Sequence, residues 1–124
     1  MDEAAAPLFQ QIARLIEDSI VEGTLEPGHR APSTNELSAF HKINPATARK
    51  GLALLVESGV LVKRRGVGMF VTDHARAAIM ERRRESFPGA YLAPMIDEAL
   101  RLDLNRKQLH DLVDRVAESR GLYS

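Results

Sequence analysis

Cysteine, long hydrophobic runs and net charge are all missing from this sequence of 124 residues. Without thiols, the chain can form neither a disulfide framework nor a thiolate metal site, and it has no cysteine nucleophile. No apolar run approaches the roughly 18 residues that a membrane-spanning helix needs. The acidic start, Met1-Asp2-Glu3, lacks the basic-then-apolar order of an export signal. We therefore expect a cytoplasmic protein with no membrane partner.

The patterns of common catalytic and metal sites are also missing. The four histidines, His29, His41, His74 and His110, are dispersed, and no two have ligand spacing on one helix. The sequence has no nucleophile elbow, no phosphate-binding glycine loop and no Ser-His-Asp order. We therefore expect no metal, no cofactor and no catalytic residue, and we do not expect an enzyme.

Charge is distributed unevenly along the chain, although it sums to zero. Residues 1–41 carry two basic and seven acidic side chains, whereas residues 42–71 carry six basic side chains and one acidic side chain. A basic middle in a neutral chain is typical of a localised face that binds anions. The same six cations would also suit a solvated surface, so charge alone leaves both interpretations open.

Local signals predict two helices before the basic segment. The first begins near Pro7, which suits a first helical position, and ends at Gly23. The second begins with the capping box of Ser33 and Glu36, in which each side chain satisfies a backbone N–H group of the other residue. We expect Phe40, near the end of this short helix, to face the core.

A third helix is predicted from Asn44-Pro45, a cap followed by proline in the first turn, to about residue 58. Ala48, Leu52 and Leu55 lie on one side of this helix, and the opposite, outward face is small and basic, with Ala46, Arg49, Lys50 and Ala53. The two cations can reach guanine acceptors or phosphates, and Thr47 can contact a phosphate or a thymine methyl group. The positive end of the helix can also bind phosphate through its backbone N–H groups.

Two short strands follow, near residues 60–64 and 69–72, and the link Arg65-Gly66-Val67-Gly68 makes them a hairpin. Arg64 or Arg65 can enter a minor groove, and Gly66 lets the backbone approach a duplex. Helix, short helix, capped basic helix and hairpin together form a helix-turn-helix with a wing. The predicted fold class is therefore mainly α with a small β wing, followed by a helical tail.

The tail is predicted to be helical from about residue 73, with a break or kink at Pro88-Gly89. Its apolar stripes suit a dimer core, although they would also suit a pocket for an unidentified small-molecule effector. The residues predicted to pair two copies are Tyr91, Leu92, Met95, Ile96, Ala99, Leu100, Leu109, Leu112, Val113 and Val116.

Residues 7–71 resemble the winged-helix domain of GntR-type bacterial regulators, and the short tail resembles that of the YtrA-like branch. The matching motifs are Pro7-Leu8-Phe9-Gln10-Gln11-Ile12, Gly23-Thr24-Leu25-Glu26-Pro27-Gly28, Pro32-Ser33-Thr34-Asn35-Glu36-Leu37, Asn44-Pro45-Ala46-Thr47-Ala48-Arg49-Lys50, Glu57-Ser58-Gly59-Val60-Leu61 and Arg65-Gly66-Val67-Gly68-Met69-Phe70-Val71. The resemblance implies DNA contacts at Ser33, Asn44, Ala46, Thr47, Arg49, Lys50, Arg65 and Gly66. The branch forms dimers through its tail, and the remaining chain is too short for the large effector domains of other branches.

Two departures from the family pattern affect the predicted site. The family usually has a DNA-contacting arginine where this chain has Asn35, which can still bond a base or a phosphate with a shorter reach and no charge. The family usually has alanine where this chain has Gly51, and glycine inside a helix costs about 1 kcal/mol relative to alanine. Close packing is the one explanation that the sequence suggests for Gly51.

We therefore predict a DNA-binding domain at residues 7–72 and a helical dimerisation region at residues 73–120. The protein is expected to repress transcription as a homodimer on an inverted-repeat DNA operator, with helix 45–58 in the major groove and wing 60–72 at the minor groove. The alternative is a winged-helix adaptor that binds a partner protein and no DNA.

Overall fold

The computed structural model describes residues 6–123, which form six α-helices and one two-stranded antiparallel sheet. In chain order they are α1 (Leu8–Glu22), α2 (Thr34–His41), α3 (Pro45–Glu57), β1 (Leu61–Arg64), β2 (Gly68–Val71), α4 (Ala75–Phe87), α5 (Ala93–Arg101) and α6 (Arg106–Ser119). This order confirms the predicted fold class, a winged helix-turn-helix followed by helices. Among the described residues, no helix combines the length and apolarity needed to span a membrane.

The core of the first unit lies between α1, α3 and the base of the wing. Helix α1 contributes Ile12, Ile16 and Ile20, which recur at helical spacing and are at most 4% exposed. Helix α3 contributes Leu52 and Leu55, each 1% exposed. Burial of each such side chain stabilises the fold by about 1.5–3 kcal/mol. With its inner face occupied in this way, α3 presents its other face to solvent.

The turn between α2 and α3 is fixed by hydrogen bonds around Lys42. Lys42 has the left-handed conformation (φ 55°, ψ 49°), and its backbone N–H donates to the carbonyl of Ser38. The Ser38 hydroxyl in turn donates to the carbonyl of Ile43 over 2.6 Å. Ile43 packs against the core, so the turn is held on its inner side as well as by its backbone.

The wing pairs β1 with β2, with Leu61 opposite Val71 and Arg64 opposite Gly68. The loop before α2 extends this small sheet, because the N–H of Ala31 donates to the carbonyl of Met69 over 2.8 Å. An isolated bridge also joins Arg30 to Phe70. The wing is therefore tied to the start of the helix-turn-helix by backbone hydrogen bonds.

Helix α4 begins as part of the winged-helix unit. Ala75 and Ile79 are buried in its core at 1% and 0% exposure. Arg76 donates from Nε to the carbonyl of Val21 over 2.9 Å, and Arg82 pairs with the buried carboxylate of Glu17. The chain divides into two compact units after Arg82, because these contacts hold the first turns of α4 against α1.

The structure corrects one local prediction, at Phe40, and narrows another, the break or kink at Pro88-Gly89, where it shows no break. Phe40 does not face the core: it is 82% exposed, and its ring meets that of His41 edge-on at 4.9 Å. Helix α2 is short, and Leu37 together with Ile43 of the following turn fills the core at this point.

Pro88-Gly89 does not break the helical backbone, since Pro88–Leu92 forms a π-helical turn in which the N–H of Ala93 donates to the carbonyl of Pro88. The wider turn accommodates the missing proline N–H.

The second unit begins at Arg83 and contains α5 and α6. Helix α6 starts as the sequence predicts, with Asn105 and Gln108 forming a reciprocal capping box. Ala99 is 6% exposed, whereas most other apolar side chains of this unit lie at its surface. The unit therefore presents a large apolar area relative to what it buries.

Close packing explains the glycine inside α3. A Cβ atom added at Gly51 would lie 2.9 Å from the carbonyl oxygen of Phe9 and 3.3 Å from Cγ2 of Ile12. Both distances are tighter than ordinary contacts, and the first involves the backbone of α1. Helices α1 and α3 thus approach each other at a point where only a hydrogen atom fits.

We predict that Gly51→Ala lowers the free energy of unfolding by about 1–2 kcal/mol, because the overpacking cost exceeds the helix-propensity gain. Urea unfolding followed by circular dichroism measures the change. The control is Ala53→Gly, an exposed position of the same helix, where the loss is about 1 kcal/mol from propensity alone. A Gly51→Ala protein more stable than the wild type would contradict the packing argument.

Candidate nucleic-acid interface

A cavity of about 470 Å³ opens between the start of α2, the outer face of α3 and the wing. We call it the charged cavity, because cations from three separate segments line it: Arg30, Arg49, Lys63 and Arg64. Among the described residues that line it, none is acidic. Such a concave cluster of one sign concentrates positive potential where an anion can enter.

The charged cavity brings together half of the residues predicted to contact DNA. Those that line it are Ser33, Asn35, Arg49, Arg64 and Gly66. Those that lie outside its lining are Asn44, Ala46, Thr47, Lys50 and Arg65. The predicted set therefore covers a surface wider than the cavity, extending along α3 and to the tip of the wing.

The start of α2 is held by the capping box that the sequence predicts. The N–H of Ser33 donates to Oε1 of Glu36 over 2.8 Å, and the N–H of Glu36 donates to the Ser33 hydroxyl oxygen over 3.1 Å. Nη2 of Arg30 lies 3.4 Å from Oε2 of Glu36. The backbone hydrogen bond from Ser33, followed by the positive charge of Arg30, lowers the pKa of Glu36 below its ordinary value.

The N-terminus of α3 already uses two of its backbone donors. The N–H of Ala46 donates to Oδ1 of Asn44 over 2.7 Å, and the N–H of Thr47 donates to the Asn44 carbonyl over 2.9 Å. Ala46 is exposed and Thr47 is half-buried. A phosphate at this end of the helix would therefore meet mainly side chains, which differs from the backbone contact that the sequence suggests.

The two cations of α3 have different surroundings. Arg49 is exposed and lines the charged cavity. Lys50 is also exposed, but its ammonium nitrogen lies 4.1 Å from the centre of the Phe9 ring in α1. Such a cation–π contact contributes about 0.5–1 kcal/mol at an exposed site, so it positions Lys50 without locking it.

The wing carries one arginine at the end of β1 and another in its turn. The guanidinium carbon of Arg64 lies 4.5 Å from the centre of the Phe70 ring, which directs this side chain across the sheet. Arg65 is exposed in the turn itself. Gly66 follows with φ +76°, a left-handed conformation that suits glycine, and a Cβ there would meet nothing within 4 Å.

Sequence reasoning missed three polar side chains that line the cavity: Arg30, Thr34 and Lys63. Lys63 was recognisable as one of the cations near the hairpin tip. Arg30 gave no signal, because it lies in a loop without periodicity and reaches the cavity only through tertiary pairing with β2. In residues 6–123, no three histidine or acidic side chains are grouped as a metal would require.

The model of a family described as bacterial regulatory proteins, gntR family, matches residues 8–71, more than half of the chain. The chain belongs to the GntR family. The family assignment made from the motifs is thereby confirmed.

This GntR-family chain is similar over most of its length to the HTH-type transcriptional repressor YtrA of Bacillus subtilis. The two are 23% identical over 114 residues, which make up 92% of this chain and 87% of YtrA. The match includes the tail, in agreement with the predicted resemblance to the YtrA-like branch. Two other curated relatives, the regulator YurK of Bacillus subtilis and the histidine utilization repressor of Pseudomonas putida, are each 35% identical over 68 and 82 residues, which make up only 28% and 33% of their length.

One solved structure is similar along nearly the whole chain, and another is similar along little more than half of it. A GntR family transcriptional regulator from Listeria monocytogenes is 26% identical, with a TM-score of 0.71 over 93% of this chain and 98% of its own. The DNA-binding domain of AraR, solved in complex with operator ORX1, is 30% identical, with a TM-score of 0.54 over 58% of this chain and 87% of its own. The first extends through the tail, and the second covers the winged helix.

Acidification is predicted to weaken the fold through Glu36. Its pKa is lower in the folded chain than in the unfolded chain, so its contribution to stability is complete above the ordinary glutamate pKa and disappears as pH falls through the folded value. Urea unfolding of the wild type and Glu36→Gln, from about pH 6 to about pH 3, measures this contribution. The stability difference between the two proteins should shrink on acidification, because glutamine keeps the cap without titrating. A difference that is independent of pH would contradict the prediction.

Proposed function

We propose that this GntR-family protein is a transcriptional repressor that binds an inverted-repeat DNA operator as a homodimer. The observation that carries the proposal is the charged cavity, which faces solvent beside the exposed surface of α3. The operator complex of AraR supports the proposal, because the AraR domain shares this fold at 30% identity. The similarity to the repressor YtrA supports the direction of regulation.

In the proposed complex, helix 45–58 lies in the major groove and wing 60–72 lies at the adjacent minor groove. The outer face of α3 suits this role, because Ala46 and Ala53 are exposed and small, so the helix can lie close to base edges. Arg49 extends from the same face toward guanine acceptors. Arg64 and Arg65 extend from the wing, where arginine is favoured in a narrow minor groove.

Helix α2 contributes contacts from its N-terminus. Ser33 and Asn35 both line the charged cavity, and Asn35 is exposed. An asparagine amide can donate to phosphate or pair with adenine through both of its polar atoms. Since Asn35 carries no charge, its contribution is to base preference more than to overall attraction.

Dimerisation is proposed to occur through the apolar surface of the second unit. A groove of about 420 Å³ is lined there by side chains of α5 and α6 that are almost all apolar, among them Met95, Leu112, Val113 and Val116. The predicted pairing residues that are exposed include Tyr91 at 56%, Leu100 at 66% and Val116 at 55%. An apolar surface of this kind costs free energy in water, and a second copy would cover it.

The symmetry of a dimer predicts the form of the operator. A two-fold axis relates the two winged helices, so their α3 helices meet half-sites of opposite orientation. Successive major grooves on one side of the duplex are about 34–36 Å apart. The operator is therefore an inverted repeat, and occupancy of a promoter by the dimer would block transcription.

Arg49→Ala should lower the affinity for the operator by about tenfold to a hundredfold, because a bidentate contact to guanine is lost. The operator is first selected from a random DNA pool with the wild-type protein, and affinities are then measured by fluorescence anisotropy. Thermal unfolding should be unchanged, since Arg49 is exposed.

Lys107→Ala is the matched control for Arg49→Ala. It removes one cation from α6 whose side chain is 83% exposed and paired with Asp111, and it should bind as the wild type does. Equal affinity of Arg49→Ala and the wild type would remove the central residue of the proposed site. Selection that yields no shared sequence would count against a sequence-specific regulator.

Val116→Glu should convert the dimer to a monomer, because a carboxylate would be buried at the proposed interface without a partner. Analytical ultracentrifugation over a concentration series measures the shift. Lys107→Glu places a carboxylate on an exposed position of the same helix and should leave the assembly unchanged. A wild-type protein that remains monomeric at all concentrations would contradict the proposed assembly.

A further inference from the structure

Arg30 is held in place by contacts from two different elements, β2 and α2. Its backbone forms an antiparallel bridge with Phe70 of β2. Its guanidinium lies 3.4 Å from the carboxylate of Glu36 in α2. Its side chain also lines the charged cavity, which no pattern in the sequence predicts.

Gly68 makes room for the alkyl part of Arg30. A Cβ atom added at Gly68 would lie 3.1 Å from Cδ and 3.3 Å from Cγ of Arg30. Gly68 also has φ +140°, a conformation that L-residues rarely adopt. The arginine stem therefore runs across bare backbone of the wing, which limits the directions in which its guanidinium can point.

The ion pair between Arg30 and Glu36 is weak enough for Arg30 to exchange Glu36 for another anionic acceptor. The nearest oxygen is 3.4 Å away, longer than a charge-assisted hydrogen bond of 2.7–2.9 Å, and the two side chains are 45% and 55% exposed. Exposed ion pairs of this kind contribute little to stability, because water screens them. Glu36 is already anchored by the Ser33 N–H, so it keeps a partner when Arg30 leaves.

Phe70 places a second cation beside the first. Its backbone pairs with Arg30, and its ring lies under the guanidinium of Arg64 at 4.5 Å. Arg30 and Arg64 both line the charged cavity, together with Arg49 and Lys63. One strand residue of the wing thus organises two guanidinium groups at the same opening.

We infer that Arg30 is a further DNA-binding residue, one that exchanges Glu36 for a backbone phosphate when the duplex occupies the charged cavity. The planar guanidinium can offer a phosphate two parallel donors, whereas only Nη2 of Arg30 reaches Glu36, at 3.4 Å and 3.5 Å from its two oxygens. Phosphate is the appropriate partner because Arg30 belongs to a loop outside the helix that reads bases. The inference rests on the proposed function and adds a contact to the same site.

A purely structural role for Arg30 makes different predictions. If the side chain served only to hold the wing against α2, its removal would lower stability and leave the electrostatics of DNA binding unchanged. If it binds phosphate, its removal weakens binding to every sequence by a similar factor and lowers the salt dependence. The two roles are therefore separable by titration at several salt concentrations.

The experiment compares Arg30→Ala, Arg30→Gln and the wild type on two duplexes of about 20 base pairs, which is two helical turns. One duplex carries the sequence selected by the wild type, and the other has an unrelated sequence. Anisotropy titrations at increasing salt give the affinity and the slope of log affinity against log salt. Arg30→Gln keeps a polar side chain of intermediate length, and it serves if Arg30→Ala does not fold.

Because the proposed dimer carries two copies of Arg30, we expect both variants to bind each duplex at least about tenfold more weakly, with a salt slope reduced by about two, one for each protomer. Lys107→Ala, which also removes one paired cation, should match the wild type in both measurements. Glu36→Gln should bind about twofold to fivefold more tightly, because it keeps the cap and frees Arg30 from its competitor.

Three outcomes would overturn the inference. If Arg49→Ala weakens binding while both Arg30 variants keep the wild-type affinity and slope, the Arg30 contact is absent and the proposed function stands. If only thermal stability falls in the Arg30 variants, the role is structural. If the wild-type protein binds neither duplex, the proposed function fails and the Arg30 contact fails with it.

Discussion

The close approach of α1 and α3 at Gly51 is the constraint on which the interface depends. A side chain at this position would meet the backbone of Phe9 at 2.9 Å, so the two helices can be this close only with glycine. The packing buries one face of α3 and sets the direction of the other. It also brings Phe9 within reach of Lys50, whose ammonium lies 4.1 Å from the ring. The helix that carries Arg49 is therefore oriented by a contact on its opposite side.

The charged cavity is positive although the protein as a whole carries no net charge. The chain has equal numbers of basic and acidic side chains, yet the part of it that the structure describes lines the charged cavity with four cations and no carboxylate. Glu36 lies next to this cavity and outside its lining, where it caps α2 and holds Arg30. Separation of charge over short distances gives a neutral protein a strongly positive face, because the field of nearby cations exceeds that of distant acids.

Much of the fold was predictable because its signals are local. The capping boxes at Ser33 and Asn105 and the proline after Asn44 placed the starts of α2, α6 and α3 correctly. The exposed position of Phe40 was not predictable from the sequence. Beside a helix as short as α2, the core can be filled either by Phe40 or by a side chain of the neighbouring turn, and the surrounding packing decides between them. The boundary after Arg82 depends on contacts of α4 with α1, which pair residues more than 50 positions apart.

The sequence by itself determined the helix caps, the hairpin turn, the family and the cationic face of α3, because each depends on residues within a few positions of one another. Only the tertiary structure decided that Arg30 reaches the charged cavity, that Gly68 accommodates its stem and that Gly51 is a packing requirement. Each of these is a contact between segments that are distant in the chain. Such contacts are set by how whole elements pack, and no local pattern records them.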